Sequence, residues 1–304
     1  QFNYAFFEMS QLGGLLDAQR TAGRRVVVML HGSNDARAPA DRQLRQITSA
    51  LQGCDRLLVH TLSDMSRLRD MGIAENVTLV PHGILAPVKP EALPARTGPI
   101  VLGSYGFFLP GKGLVDLIDV VAILRRRGYD VELRMINAEY PQPISRAEIE
   151  LAQSRVSDHQ IESAVHINTE FTSDTVAMAA LQDCDLIVFP YQSSAESASG
   201  AVRYGLASGR PVAVTPLEIF SDVADITLTL PGCSVSDMAK GIESWLDDLR
   251  SGPGGIPNSA IAEVQKRGAD WCAARSYIRT GARLSGMLTA LHNTPPTSLF
   301  DVGG

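Results

Sequence analysis

Short apolar runs alternate along this chain with longer stretches of mixed character. The runs are Arg25–Leu30 (RVVVML), Arg56–His60 (RLLVH), Val77–Val80 (VTLV), Pro99–Leu102 (PIVL), Val131–Ile136 (VELRMI), Leu186–Phe189 (LIVF) and Pro211–Val214 (PVAV). They are rich in Val, Ile and Leu and mostly continuous rather than alternating. That is the pattern of strands buried on both faces of a parallel sheet. Gln1–Phe7 (QFNYAFF) also reads as a strand.

Helical periodicity fills the gaps. In Gly113–Arg127 the residues Leu114, Leu117, Ile118, Val121 and Leu124 form one apolar stripe, three arginines occupy the last turn, and Gly128 ends the helix. A shorter helix is expected from about Ala201 to Ser208, stopped by Gly209, and a long one over Trp271–His292 after a loop at Gly254–Ser259 (GGIPNS). Strand, helix, strand in repetition predicts doubly wound α/β structure. Ile84–Gly98 holds three prolines and no periodic pattern, so it reads as a linker. The expected organisation is therefore 1–90, 91–275 and 276–304: a partial N-terminal Rossmann-like domain, a C-terminal Rossmann-like domain, and a final helix with its tail.

Composition narrows the function classes. With 304 residues the chain can build two cores. A formal net charge of −6 is the wrong sign for a general nucleic-acid binder, although Arg125, Arg126 and Arg127 form a local basic cluster. No apolar run reaches the roughly 20 residues that span a bilayer. No basic-then-apolar leader is seen. The four cysteines (Cys54, Cys184, Cys233 and Cys272) are far apart with no C-x-x-C pair, which predicts free thiols in a reducing cytoplasm. The chain starts at Gln1 rather than Met, which reads as a fragment of a longer polypeptide.

Candidate chemistry is ranked by one topological rule: in open α/β sheets ligands bind beyond the carboxyl ends of the strands. Gly111-Lys112-Gly113 follows a strand and opens a helix, where backbone N–H groups and a lysine suit a phosphate; a plain glycine turn accounts for the same residues. The spacing is neither a Walker loop nor a dinucleotide fingerprint. Glu196, Ser199 and Gly200 follow strand Leu186–Phe189 at a second helix start, where Glu196 reads either as a ligand for hydroxyls or as a helix cap. His31 follows RVVVML, and His82 approaches the linker; each is either a hydrogen-bonding group near a substrate or structural. His60 precedes a helix cap at Ser63 or Asp64, and His159, His166 and His292 show no constellation. Asp183-Cys184-Asp185 has the D-x-D form but precedes its strand, on the edge opposite the ligand. No H-E-x-x-H motif or carboxylate cluster argues for a metal.

Together, VVVMLHGS, VTLVPHGI, GFFLPGKGL and DCDLIVFPY…ESASGAVRYGLASGRPVAV are similar, in order and placement, to the family 4 glycosyltransferases of the glycosyltransferase-B fold. The resemblance spans about Arg25 to Val214 and is strongest in the second domain. It implies two Rossmann-like domains facing across a cleft, with a nucleotide diphosphate sugar (UDP- or GDP-sugar) held mainly by the C-terminal domain. It implies a glycan or lipid-linked acceptor, no metal and no other cofactor, and a retaining hexosyl transfer in bacterial surface polysaccharide synthesis. Lys112 matches the lysine that contacts the donor diphosphate, and Glu196 matches the first acid of the E-x7-E motif near the transferred sugar. Ser199 and Gly200 match the helix start facing the diphosphate, and His31 a histidine near the reaction centre. Gly106 and the pair Gly111 and Gly113 fall in the donor-side loops.

Three departures stand out. The family's arginine after the first strand of the second domain is replaced by Gly106-Phe107-Phe108. Tyr204 stands where the second acid usually holds the ribose hydroxyls, and a phenol is the weaker acceptor. The family also has several strands before the position of Gln1, so a longer, multidomain chain is expected, with peripheral contact at the inner membrane face left open to it. A non-catalytic nucleotide-sugar-binding or scaffolding domain is the alternative. An epimerase lacks a supporting set of carboxylate and histidine residues.

Overall fold

The computed structural model describes residues 8–36, 38–89, 97–251 and 257–293. The expected strand at Gln1–Phe7, the middle of the proline-rich stretch, most of the glycine loop before Pro257 and the tail after Asn293 lie outside the described residues. Contacts divide the chain into two units: Gln1–Gly83 with Ala195–Ser197 and Tyr277–Gly304, and Ile84–Ser194 with Ala198–Ser276.

The first unit contains a three-stranded parallel sheet in the order β1 (Val27–Leu30), β2 (Arg56–Val59), β3 (Val77–Leu79). Helices α1 (Met9–Thr21), α2 (Thr48–Gln52) and α3 (Leu62–Asp70) accompany it. Met9, Leu12 and Leu16 sit on one face of α1 and pack with Leu44, Leu51, Leu57, Val59 and Leu68 as the core. Helix α3 begins with a capping box: Thr61 Oγ1 accepts from the Asp64 N–H at 3.1 Å, and Asp64 accepts the Thr61 N–H at 3.2 Å. Thr61, rather than Ser63 or Asp64, is therefore the cap.

The second unit is a six-stranded, wholly parallel sheet. Its strands are β4 (Ile100–Phe108), β5 (Val131–Glu139), β6 (Val165–Asn168), β7 (Leu186–Phe189), β8 (Val212–Val214) and β9 (Leu228–Thr229), in the order β6-β5-β4-β7-β8-β9. β7 shows why its four residues are all apolar. Leu186 and Val188 face a core shared with α4 (Leu114–Arg126), α5 (Pro143–His159) and α8 (Val235–Leu246). Ile187 and Phe189 face the core built with α6 (Asp174–Gln182), α7 (Gly200–Ala207) and α9 (Ser259–Ala274). In α4 the expected stripe is buried to the last residue, with Leu117, Ile118, Val121 and Leu124 at 0% exposure. Each such side chain contributes about 1.5–3 kcal/mol of burial.

Several boundaries differ from the sequence expectation. β4 and β5 run on to Phe108 and Glu139, so Gly106 and Asn137 lie inside strands. Gly106 has φ +126, and a Cβ there would stand 3.3 Å from that of Ala201; the glycine lets α7 pass close to the strand. β6 and β9, too short and too polar to register as apolar runs, complete the sheet. The expected helix over Trp271–His292 is two helices, α9 and α10 (Tyr277–Asn293). They part where the Arg275 carbonyl accepts the Ile84 N–H at 3.1 Å instead of a helical partner.

Candidate functional site

In the second unit, β4 is the strand from which the order runs outward both ways: β5 and β6 on one side, β7, β8 and β9 on the other. Such a reversal opens a crevice at the carboxyl ends of the two central strands. The residues that follow β4 and β7 therefore form the candidate site. After β4 the chain turns through Gly111 (φ +78) and Gly113 (φ +67), two left-handed positions bracketing Lys112. An added Cβ at Gly113 would overlap the Pro190 carbonyl oxygen, and one at Gly111 would lie 2.9 Å from Ser193 Oγ. Both glycines are thus required by the packing of this turn on the loop after β7. The Gly111 carbonyl accepts the Gln192 N–H at 2.8 Å, which fixes that loop in place.

The Lys112 ammonium stands over the ring of Tyr191, 4.0 Å from its centroid. Tyr191 is buried, and its hydroxyl lies 3.3 Å from Ser199 Oγ. Ser199 is the N-cap of α7 and accepts the Val202 N–H at 3.3 Å. One chain of contacts thus joins a cation at the start of α4 to the start of α7. Arg203 secures the cap from behind: its Nη1 donates to the Ser199 carbonyl at 2.6 Å, and its guanidinium, 3% exposed, pairs with Asp222. Gly200, the first residue of α7, is exposed, has no positive φ, and would meet nothing among the described residues within 4 Å if it carried a Cβ.

A recess at this edge is lined by Ser104, Lys112, Asn137, Phe189 and Tyr191, among others. Asn137 is fully buried; its Oδ1 accepts from Ser104 Oγ at 2.5 Å, and its Nδ2 has no partner among the described residues. A buried amide left unpaired costs about 1–3 kcal/mol. Tyr204 stacks on Tyr105 at 4.7 Å and donates its hydroxyl to the Asp174 carboxylate at 2.9 Å. A carboxylate is therefore present beside the phenol, supplied by the first turn of α6. Phe107, Tyr140 and the largely exposed Phe171 form an aromatic group at the ends of β4 to β6.

The two other expected residues belong to the first unit. His31 follows β1 and is exposed, as is Glu196. Glu196 is not the cap of α7; its segment packs on the loop after β1, where Ser197 donates its N–H to the His31 carbonyl at 3.3 Å. Beneath that contact lies Asp64, with no exposed surface. Its carboxylate accepts from Ser33 Oγ at 2.5 Å, Ser197 Oγ at 2.5 Å, Thr61 Oγ1 at 2.6 Å and Arg67 at 3.2 Å. Burial alone pushes this carboxyl up, but the hydrogen bonds from Ser197, Ser33, Thr61 and Arg67 outweigh it and hold it below the usual carboxylate range.

The fold also gathers what the sequence left separate. His31, His60 and His82 lie together, with one ring nitrogen from each within 4.8 Å of the others. Asp183-Cys184-Asp185 behaves as its place before β7 predicts: Asp185 accepts the Val101 N–H at 2.8 Å and pairs with Arg250, and Asp183 pairs with Arg134. Tyr191, Asn137 and Asp174 escaped the sequence reading. Of these, only Asn137 carried a sequence signal, a polar residue directly after an apolar strand core.

Neither a protein-family model nor a curated protein matches this chain. Solved structures do. HepE of Anabaena, in complex with UDP and glucose, superposes with a TM-score of 0.71 at 14% identity, over 90% of this chain and 74% of HepE. The sucrose-phosphate synthase of Thermosynechococcus elongatus gives 0.72 at 16% identity, over 92% and 71%. A UDP-forming α,α-trehalose-phosphate synthase of Burkholderia xenovorans, in complex with glucose-6-phosphate, gives 0.72 at 12%, over 92% and 70%. With two parallel α/β sheets and these likenesses, the chain has the glycosyltransferase-B fold.

Proposed function

We propose that this protein transfers a sugar from a nucleotide diphosphate sugar to a glycan or lipid-linked acceptor. The observation that carries the reading is the position of Lys112. A cation held over Tyr191, between the starts of α4 and α7, sits at the point where the strand order of the sheet reverses. Lys112, with the backbone N–H groups near Ser199 and Gly200, takes the charge of the leaving diphosphate, so that no metal is needed there. The Asn137 amide supplies a further donor in the same recess. Tyr204, backed by Asp174, takes the ribose hydroxyls, and the Phe107, Tyr140 and Phe171 rings offer a face to the base. Glu196 positions hydroxyls of the transferred sugar, and His31 contacts the reacting groups.

HepE with UDP and glucose, and the UDP-forming trehalose-phosphate synthase, support a UDP-sugar ahead of a GDP-sugar. The reading extends to a retaining hexosyl transfer in bacterial surface polysaccharide synthesis, on the cytoplasmic side, with peripheral membrane contact and other domains in a longer chain. Titration calorimetry of the intact chain with UDP and GDP, followed by donor turnover, is the test. Lys112→Ala is expected to remove about 3 kcal/mol of transition-state stabilisation, a rate loss on the order of 100-fold. Near-normal turnover in that variant refutes the assignment. A second reading, a binding module without catalysis, is favoured by Tyr204 and the absent arginine; nucleotide binding with neither transfer nor hydrolysis would select it.

A further inference from the structure

The three histidines of the first unit occupy the ends of three adjacent parallel strands. The register pairs Leu30 with Val59 and Val59 with Leu79. His31 and His60 therefore leave the sheet level with each other, and His82 follows three residues after β3. The hydrogen bonds settle which nitrogen of His60 carries the proton. His60 Nδ1 lies 2.9 Å from the Val80 carbonyl, which can only accept, so Nδ1 carries the proton and Nε2 presents its lone pair. That Nε2 lies 3.2 Å from His31 Nδ1.

We propose that His31, His60 and His82 form a binding site for a divalent transition-metal ion, with His60 as its anchor and an open position for solvent or ligand. Three physical arguments converge. Two imidazole nitrogens on one tetrahedral zinc, each about 2.0–2.1 Å from the ion, stand about 3.4 Å apart, close to the observed separation. A ligating histidine characteristically donates its other N–H to a backbone carbonyl, as His60 does to Val80. A set of imidazoles without thiolate or carboxylate suits Zn²⁺, Co²⁺, Ni²⁺ or Cu²⁺ rather than Mg²⁺ or Ca²⁺. His31 is exposed and His60 buried, so the ion enters from the His31 side. One adjustment is required: the His82 ring stacks on that of His60, with centroids 3.7 Å apart, and must turn its nitrogen inward as the ion binds. Asp64, engaged by five donors from four residues, is not a ligand.

Metal loading would also change what His31 offers to a substrate. In the metal-free state a His31 Nδ1–H donating to His60 Nε2 leaves His31 Nε2 as an acceptor. With Nδ1 on the ion, Nε2 bears the proton and becomes a donor. This consequence rests on the role proposed for His31 in sugar transfer; the site itself does not.

The test is titration of the intact, untagged chain with Zn²⁺ by calorimetry and with Co²⁺ by visible absorption. Expected are one equivalent bound at micromolar affinity or tighter and the intense bands of four-coordinate cobalt. His82→Gln and His60→Ala should each weaken binding by about 100-fold, whereas His166→Ala, at an exposed position, should leave it unchanged. His82→Gln keeps the test independent of any folding defect in His60→Ala, and circular dichroism checks both. Absence of binding, or equal affinity in the His82→Gln and wild-type chains, overturns the proposal. Neither result depends on transfer activity, so a failed metal site and a failed transferase assignment remain distinguishable.

Discussion

Gly200 is the sharpest place to perturb the candidate site, because the described residues give no reason of their own for a glycine there. Its backbone is not left-handed, the residue is exposed, and a Cβ would find nothing within 4 Å among the described residues. Alanine is the better helix former by about 1 kcal/mol in a helix interior, and by less at the first position. Gly200→Ala should therefore leave stability unchanged or raise it by a few tenths of a kcal/mol, read as an equal or higher midpoint in urea. Ligand binding should move the other way. A diphosphate oxygen accepting an N–H at the start of α7 lies about 2.9 Å from that nitrogen, so a methyl group beside it pushes the ligand back. Losing one such charge-assisted bond costs about 1.5–3 kcal/mol, or roughly 10- to 100-fold in affinity. Calorimetry with UDP on both chains measures the effect. Unchanged UDP affinity in a stable Gly200→Ala chain would refute the idea that α7 receives the diphosphate, whatever Lys112 does.

Arg203→Met should lower stability by about 3 kcal/mol, measured by urea unfolding, because it leaves Asp222 without its guanidinium and takes the side-chain donor from the Ser199 carbonyl. For Asp64 the native carboxyl is held below its unfolded value of about 3.9, so the unfolded chain binds more protons in that range. Its stabilisation is fully present above about pH 4 and is lost as pH falls through the lowered native value; Asp64→Asn should flatten this acid limb of the stability profile. Tyr204→Glu places a second acid beside Asp174 and should change UDP affinity at least a few-fold, like charges at hydrogen-bonding distance being mutually unfavourable. No change would mean that Tyr204 is remote from the nucleotide.

Much of the second unit was legible because its physics is local. The stripe of α4, the stop at Gly209 and the four apolar residues of β7 each follow from burial period or backbone freedom at one place in the chain. Misjudged features depended on partners far along the sequence. β4 and β5 pair with each other through Phe108 and Glu139, well past their apolar cores, since a ladder of backbone bonds carries polar residues along with it. The break between α9 and α10 is set by a backbone bond from Ile84, nearly two hundred residues earlier. Tyr204 meets Asp174 only because α6 and α7 lie side by side. His31, His60 and His82 could each be placed after a strand, but which strands are neighbours, and how their ends align, is a property of the sheet alone.

The division of the chain carries a practical consequence. Ala195–Ser197 groups with the first unit while the residues on either side group with the second, and the path passes from one unit to the other four times: after Gly83, Ser194, Ser197 and Ser276. A cut in the proline-rich stretch therefore releases no intact module. The N-terminal piece would lack α10 and would lose the Ser197 hydroxyl that Asp64 uses at 2.5 Å. The C-terminal piece would still carry both. The two sheets are woven by one thread rather than strung in series, and the first unit is better recovered by co-expressing both pieces than by purifying either alone.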